Sequence, residues 1–292
     1  MRLAVLLSMC LLAALAAAQS KASTKKPLGN DVNTRFNKLA DQFLKEQLAM
    51  NPTSASEAGY HKHTGADGKT VELDAVLDDF SPAAMQRQTK FYKVWQARFA
   101  KETPLAGLGP NEAADRQLVD DQIAYQLLEL QDIQNRRHNP TVFVETVGDS
   151  LFLPLTQTYA EKDVRVGHAL ARMQQIPRAV AEAKELLLDS DPVFIKVAKE
   201  ENEGNVDTIE NTVKEQITPG SKNEAEYKRV APPAIAALKE FDTWMDDVLA
   251  KRKSDRTWRL GKDWYAKKFK VVMETDETPE QLAAAADAEL TK

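Results

Sequence analysis

The chain has 292 residues, 28% of them charged, and a formal net charge of -5, which is enough length for one sizeable core or two small ones. Its mildly acidic, sign-mixed surface with no basic stripe argues against a nucleic-acid role. Its single cysteine, Cys10, argues against a disulfide framework, a thiol nucleophile or a thiolate metal site in the mature chain, so stability has to come from packing.

Arg2, the apolar run Leu3 to Leu15 and the small residues Ala16-Ala17-Ala18 have the form of a secretory signal peptide over residues 1–18. The run is shorter than the ~20 residues a spanning helix needs, and Lys21, Lys25 and Lys26 follow directly. A secreted or periplasmic location is expected, with no integral membrane segment after cleavage. A lipoprotein would have to use Cys10, which sits inside the apolar run behind Met9, and this disfavours that reading. Residues 19–30 read as a flexible polar segment and residues 31–292 as a single α-helical domain.

Within that domain the fold class reads as all-α, a multi-helix array of antiparallel helices. Phe36, Leu39, Phe43, Leu44 and Leu48 fall at helical spacing up to the stop at Asn51-Pro52. Ser54-Ala55-Ser56-Glu57 predicts a capping box, and residues 60–80 a loop pinned by Leu73, Val76 and Leu77. Ser81-Pro82 opens a helix carrying Met85, Tyr92, Trp95 and Phe99, and Asn111 opens a longer one running to Arg136-Arg137-His138. An irregular apolar stretch through Phe152 and Leu155 precedes helical faces at Val166, Ala169, Leu170, Met173 and Ile176, and at 178–188. Asp191-Pro192 starts a helix with Val193, Val197, Val206, Ile209 and Val213 and a weak point at Gly204. The break-rich stretch Ile217 to Pro233 is the best place for an internal boundary. Pro232 to Lys251 is again helical, and Thr278-Pro279 starts a last helix whose pattern is still running at Leu290.

The chemistry-bearing residues are weak as motifs. His61-Lys62-His63 with Asp67 could hold a metal on a strand, but in a Gly-rich loop solvated polar sequence is favoured. His138 suits a helix-dipole partner, and His168, between Val166 and Leu170, a hydrogen-bonded helix residue. The acid runs Asp120-Asp121, Glu200-Glu201-Glu203 and Asp246-Asp247 diverge on a helix and read as solvated faces. Ser150 and Ser221 lack a neighbouring base or an elbow motif. Trp95, Trp244, Trp258 and Trp264 could line a groove, although core is the better reading.

Asn51-Pro52-Thr53-x-Ala55-x-x-x-Gly59-x-His61 and Leu77-x-Asp79-x-Ser81 are followed in order by Asp115-x-x-Leu118, Asn139-Pro140, Arg165 and Arg172-x-x-x-Ile176-Pro177. Gly261-x-x-x-Tyr265 and Thr278-Pro279-Glu280-Gln281-Leu282 complete the series. In order and spacing this resembles the bacterial domain-of-unknown-function 885 family over nearly the whole mature chain. The resemblance implies a secreted, nearly all-helical protein similar to zinc metallopeptidases of the carboxypeptidase type, acting on peptide-like substrates. The family's zinc motif, His-Glu-x-x-Pro-Gly-His, belongs to its second half, and no histidine here is followed by glutamate.

By that resemblance the chain reads as the N-terminal half only, a truncated product or one part of a split enzyme that is inactive alone. It would pack against a missing or separate C-terminal catalytic half, which would carry the zinc. No catalytic residue, cofactor or metal ligand is expected in this chain. The alternative is an independent secreted helical module that binds a peptide or small ligand in a groove between helices.

Overall fold

A computed structural model describes residues 30–291; the expected signal peptide and polar segment, up to residue 29, lie outside the described residues. The chain is an all-α multi-helix array. Helices α1 (Asn30–Ala49), α3 (Pro82–Glu102) and α4 (Pro110–Leu127) pack together around the ring cluster Phe36, Phe43, Tyr92, Trp95 and Phe99. The second group is α6 (Thr141–Thr156), α7 (Lys162–Met173), α8 (Ile176–Leu186), α9 (Pro192–Asp207) and α10 (Lys222–Asp247). Short α2 (Pro52–Glu57) and α5 (Asn135–His138) link the two, and one hydrophobic cluster runs through both, from Phe36 to Leu249. Beyond it lie α11 (Lys262–Val272), packed on α4, and α12 (Pro279–Leu290), which buries no residue. Among the described residues no helix is long and apolar enough to cross a membrane.

Start signals worked where a side chain could reach a free N–H. Ser81 Oγ accepts from the Ala84 amide at 3.2 Å ahead of Pro82, and Thr278 and Gln281 form a reciprocal capping box. The box expected at Ser54–Glu57 does not form. Helix α2 already begins at Pro52, and Ser56 points its hydroxyl inward. The loop expected over 60–80 contains a small antiparallel hairpin, β1 (Lys62–Thr64) with β2 (Thr70–Glu72) in the register Lys62↔Glu72, followed by a 3₁₀ turn, Leu73–Ala75.

The other departures concern helix ends. The stretch through Phe152 and Leu155, expected to be irregular, is the end of α6, with Pro154 inside the helix. The helix expected to reach His138 instead widens into a π turn, Leu128–Ile133, and breaks at Gln134, which is left-handed at φ 52°. Gly204 does not interrupt α9, which passes into a second π turn, Thr208–Val213. Helix α10 starts at Lys222 and runs through Pro232 and Pro233, so most of the break-rich stretch Ile217 to Pro233 lies inside a helix. The prolines deprive the carbonyls of Lys228 and Arg229 of their helical donors. Both residues are exposed, so water can replace those donors, while Val230, Ala231 and Ala234 bury the opposite side.

Helices α6 and α9 approach closely at a glycine. A Cβ at Gly148 would sit 2.6 Å from Asn205 Oδ1, and Asn205 Nδ2 donates to the Val144 carbonyl at 2.8 Å. Gly148→Ala is expected to cost about 1–3 kcal/mol through overpacking against this buried amide, read as a lowered urea midpoint. A midpoint equal to that of the unaltered chain would mean that the helices can separate freely.

Candidate functional site

The two arginines that carry the family-like spacing on α7 both collect carbonyls. Fully buried Arg172 donates from Nε to Val76 O at 3.1 Å, from Nη1 to Ser150 O at 3.0 Å, and from Nη2 to Pro52 O and Leu73 O at 3.2 Å each. Nη2 also reaches Ser56 Oγ at 2.5 Å, and that hydroxyl donates to Asp74 Oδ1 at 2.6 Å. One guanidinium thereby joins α2, the 3₁₀ turn, α6 and α7, using a planar fork that lysine lacks. Beside it, buried Asp78 Oδ2 accepts from the Thr53 amide at 3.0 Å and from the Thr53 hydroxyl at 2.5 Å. Arg165 does the same at the end of α6, holding Pro154 O at 2.6 Å and Ala160 O at 2.9 Å.

The outer edge of this network reaches solvent through two histidines and a tyrosine. His61 Nδ1 lies 2.9 Å and 3.1 Å from the two oxygens of fully buried Asp74, an arrangement that fixes Nδ1 as the protonated nitrogen. On the other side, His168 Nδ1 stands 4.0 Å from Asp74 Oδ2. Tyr159 stacks on His61 at 4.3 Å and meets His168 Nδ1 through its hydroxyl at 3.0 Å. Burial lowers the His168 pKa against the pull of Asp74, so the neutral ring accepts the Tyr159 proton. Burial first, and then Asp74, raise the Tyr159 pKa. Chemically this can orient and polarise His61, but no nucleophile joins it. Ser56 is buried and its proton is committed to Asp74.

The expected candidates fall in separate places. His63 pairs with the Tyr60 hydroxyl at 3.0 Å and Asp67 caps its own turn at the Lys69 amide, so His61, His63 and Asp67 do not converge. His138 binds Asp189 at 2.8 Å in place of a helix end. Ser150 donates back to Val147 O, and Ser221 precedes α10 without capping it. Asp120 pairs with Arg116, Asp246 with Lys199 and Asp247 with Lys251. Trp95 is core and Trp258 is exposed. Among the described residues no group of three or more His, Cys, Asp and Glu is placed to hold a metal ion. Asp74 and Tyr159 were missed altogether. The only sequence signal was an acid flanked by Leu73, Val76 and Leu77.

One acid run does behave unusually. Burial, then Glu145, Asp149 and Glu200, push the Glu201 pKa up to about 7. A carboxyl with a folded pKa above its ordinary 4.5 holds its proton more tightly in the folded chain. Its contribution to stability is therefore present at low pH and is lost as pH rises from 4.5 to about 7. Glu201→Gln is expected to flatten the fall in melting temperature between pH 5 and pH 8. Parallel pH profiles for the two proteins would refute the assignment.

Residues 52–292 match the bacterial family described as protein of unknown function, DUF885. The chain belongs to that family. No curated protein matches it. Among solved structures, this DUF885 chain is similar to a protein from Shewanella oneidensis described as a candidate lipoprotein of unknown function. Identity is 22% and the TM-score 0.75, over 87% of this chain and 45% of that one. At that identity the likeness shows the fold, and the DUF885 chain spans less than half the length of its solved neighbour. The Arg172 network thus joins two of the segments that carry the family spacing, the one at Pro52 and α7, to the Leu73–Val76 stretch and Ser150, which lie outside that spacing.

Proposed function

We propose that this chain is the non-catalytic helical half of a secreted or periplasmic metallopeptidase-like protein, and that it is inactive alone. The observation that carries this reading is the superposition of 87% of the chain on 45% of a longer protein. Helices α11 and α12 support it. They bury nothing of their own, and Tyr265 is 51% and Leu290 86% exposed, beside exposed Val272, Met273 and Leu282. An apolar surface of this kind suits a packing interface. In this reading the Arg172 network stiffens a wall of a cleft for peptide-like substrates, and zinc belongs to the C-terminal catalytic half.

The test uses the purified chain from residue 19 to 292, dialysed, analysed for zinc and assayed for peptidase activity with zinc added. Metal-free, inactive protein that gains activity with a separately produced chain bearing His-Glu-x-x-Pro-Gly-His is the expected result. Stoichiometric zinc with activity in the chain alone would overturn the reading.

A further inference from the structure

Along the outer side of α3, between residues 82 and 97, runs an open groove of about 640 Å³ whose other wall is the π turn after α4 and Arg137 of α5. At 1.5 Å per residue this stretch of α3 is roughly 22 Å long, about four helical turns. Met85 and Leu130 form a buried floor, and Val94 stands 54% exposed on the α3 side. Lys90 and Lys93 rise from one wall and Arg137 from the other, and no carboxylate lines the groove.

The charge pattern distinguishes this face from the rest of its helix. Arg87 pairs with Asp79 and Arg98 with Glu102, whereas Lys90, Lys93 and Arg137 have no ion-pair partner among the described residues. The chain as a whole is acidic, so three unpaired cations around an apolar floor run against its overall charge. The groove is wide because α4 does not finish as an α-helix. Its π turn and left-handed Gln134 turn the chain aside before α5, and π segments of this kind often mark binding positions.

We propose that this groove is the docking site for an acidic amphipathic helix of a partner protein. Apolar side chains at every third or fourth position would seat against Met85, Val94 and Leu130, in the manner of a helix laid in a groove. Carboxylates flanking that stripe would meet cations on both walls. Lys90 and Lys93 are one turn apart and match carboxylates at the same spacing on the incoming helix. The length of about four turns and the cations on both walls match a helix laid between them. The site shares no residue with α11 or α12, so it stands apart from the half-protein reading.

The test is fluorescence anisotropy of the mature chain with labelled peptides of about 16 residues, a length that spans the groove. One has a leucine stripe flanked by glutamates, one is its scrambled isomer, and one has lysine for glutamate. The first is expected to bind at least about tenfold more tightly than the other two. The double variant Lys90→Glu/Lys93→Glu, and separately Val94→Asp, should each lose about tenfold or more with melting temperature unchanged, as these side chains are exposed. Absence of binding, equal binding of the scrambled peptide, or binding indifferent to the variants overturns the proposal. Binding to phosphatidylglycerol vesicles with none to the peptide overturns it as well, assigning the face to lipid.

Discussion

Arg172→Met is expected to destabilise the chain by about 3–5 kcal/mol, the range for removing one partner of a buried charge network, measured as the loss in unfolding free energy by urea titration. The variant keeps much of the side-chain volume but takes a donor from the carbonyls of Pro52, Leu73, Val76 and Ser150 in the interior; Leu73 O keeps the Val76 amide and Pro52 O lies 3.1 Å from the Ser56 hydroxyl, while Val76 O and Ser150 O lose the donor that Arg172 supplied. It also leaves buried Asp74 and Asp78 without the positive charge that faces them. Water cannot take over, because the guanidinium site is fully enclosed. Arg172→Lys should recover only part of the loss, since an ammonium carries charge without the planar fork that serves several carbonyls. A loss below about 1 kcal/mol for Arg172→Met, the worth of a single ordinary hydrogen bond, would mean that the network is not a structural pin.

Phe43→Ala is expected to cost a similar amount, about 3–5 kcal/mol, from lost burial and the cavity left behind. Phe43 is the hub of the ring cluster, with centroids at 5.6 Å from Phe91, 5.5 Å from Trp95, 5.7 Å from Phe99 and 6.3 Å from Tyr92. Three of these contacts are edge-on, the geometry in which the positive ring edge meets a negative face. Urea unfolding gives the loss, and Trp95 fluorescence should report loosened packing in the folded variant. A loss below about 1 kcal/mol, far under the large-to-small range, would mean that α1 and α3 can close over the gap.

The spacing of apolar residues was enough for most helices because one buried face imposes one period. Phe36, Leu39 and Phe43 on α1, and Val166, Ala169, Leu170 and Met173 on α7, are buried as that period requires. It failed for Val193, which is 47% exposed while Ile195 and Ala198 turn inward. The first turn of a helix projects beyond the neighbours that would cover it. Pro232 and Pro233 bound or interrupt helices by their spacing, yet lie within one, and the stretch through Phe152 and Leu155 is helical despite Pro154.

The polar network was the least legible part. Arg172 was visible only as a family position, and Asp74 not at all, because its surroundings are chosen by partners far along the chain. Arg172 bonds span separations of 96 to 120 residues to Val76 and Pro52. A short acidic loop beside glycines reads as solvated until such partners close over it.

Helices α11 and α12 bring a different consequence. The first is held to α4 by Lys268, which binds Glu129 at 2.7 Å and lies over Tyr125, and the second buries nothing. Opening them would expose little apolar surface, so their amides should exchange hydrogen at low free energy, while those around Arg172 wait for global unfolding. The chain therefore carries a firm interior and a soft margin, and whatever settles on that margin can tighten it without asking anything of the core.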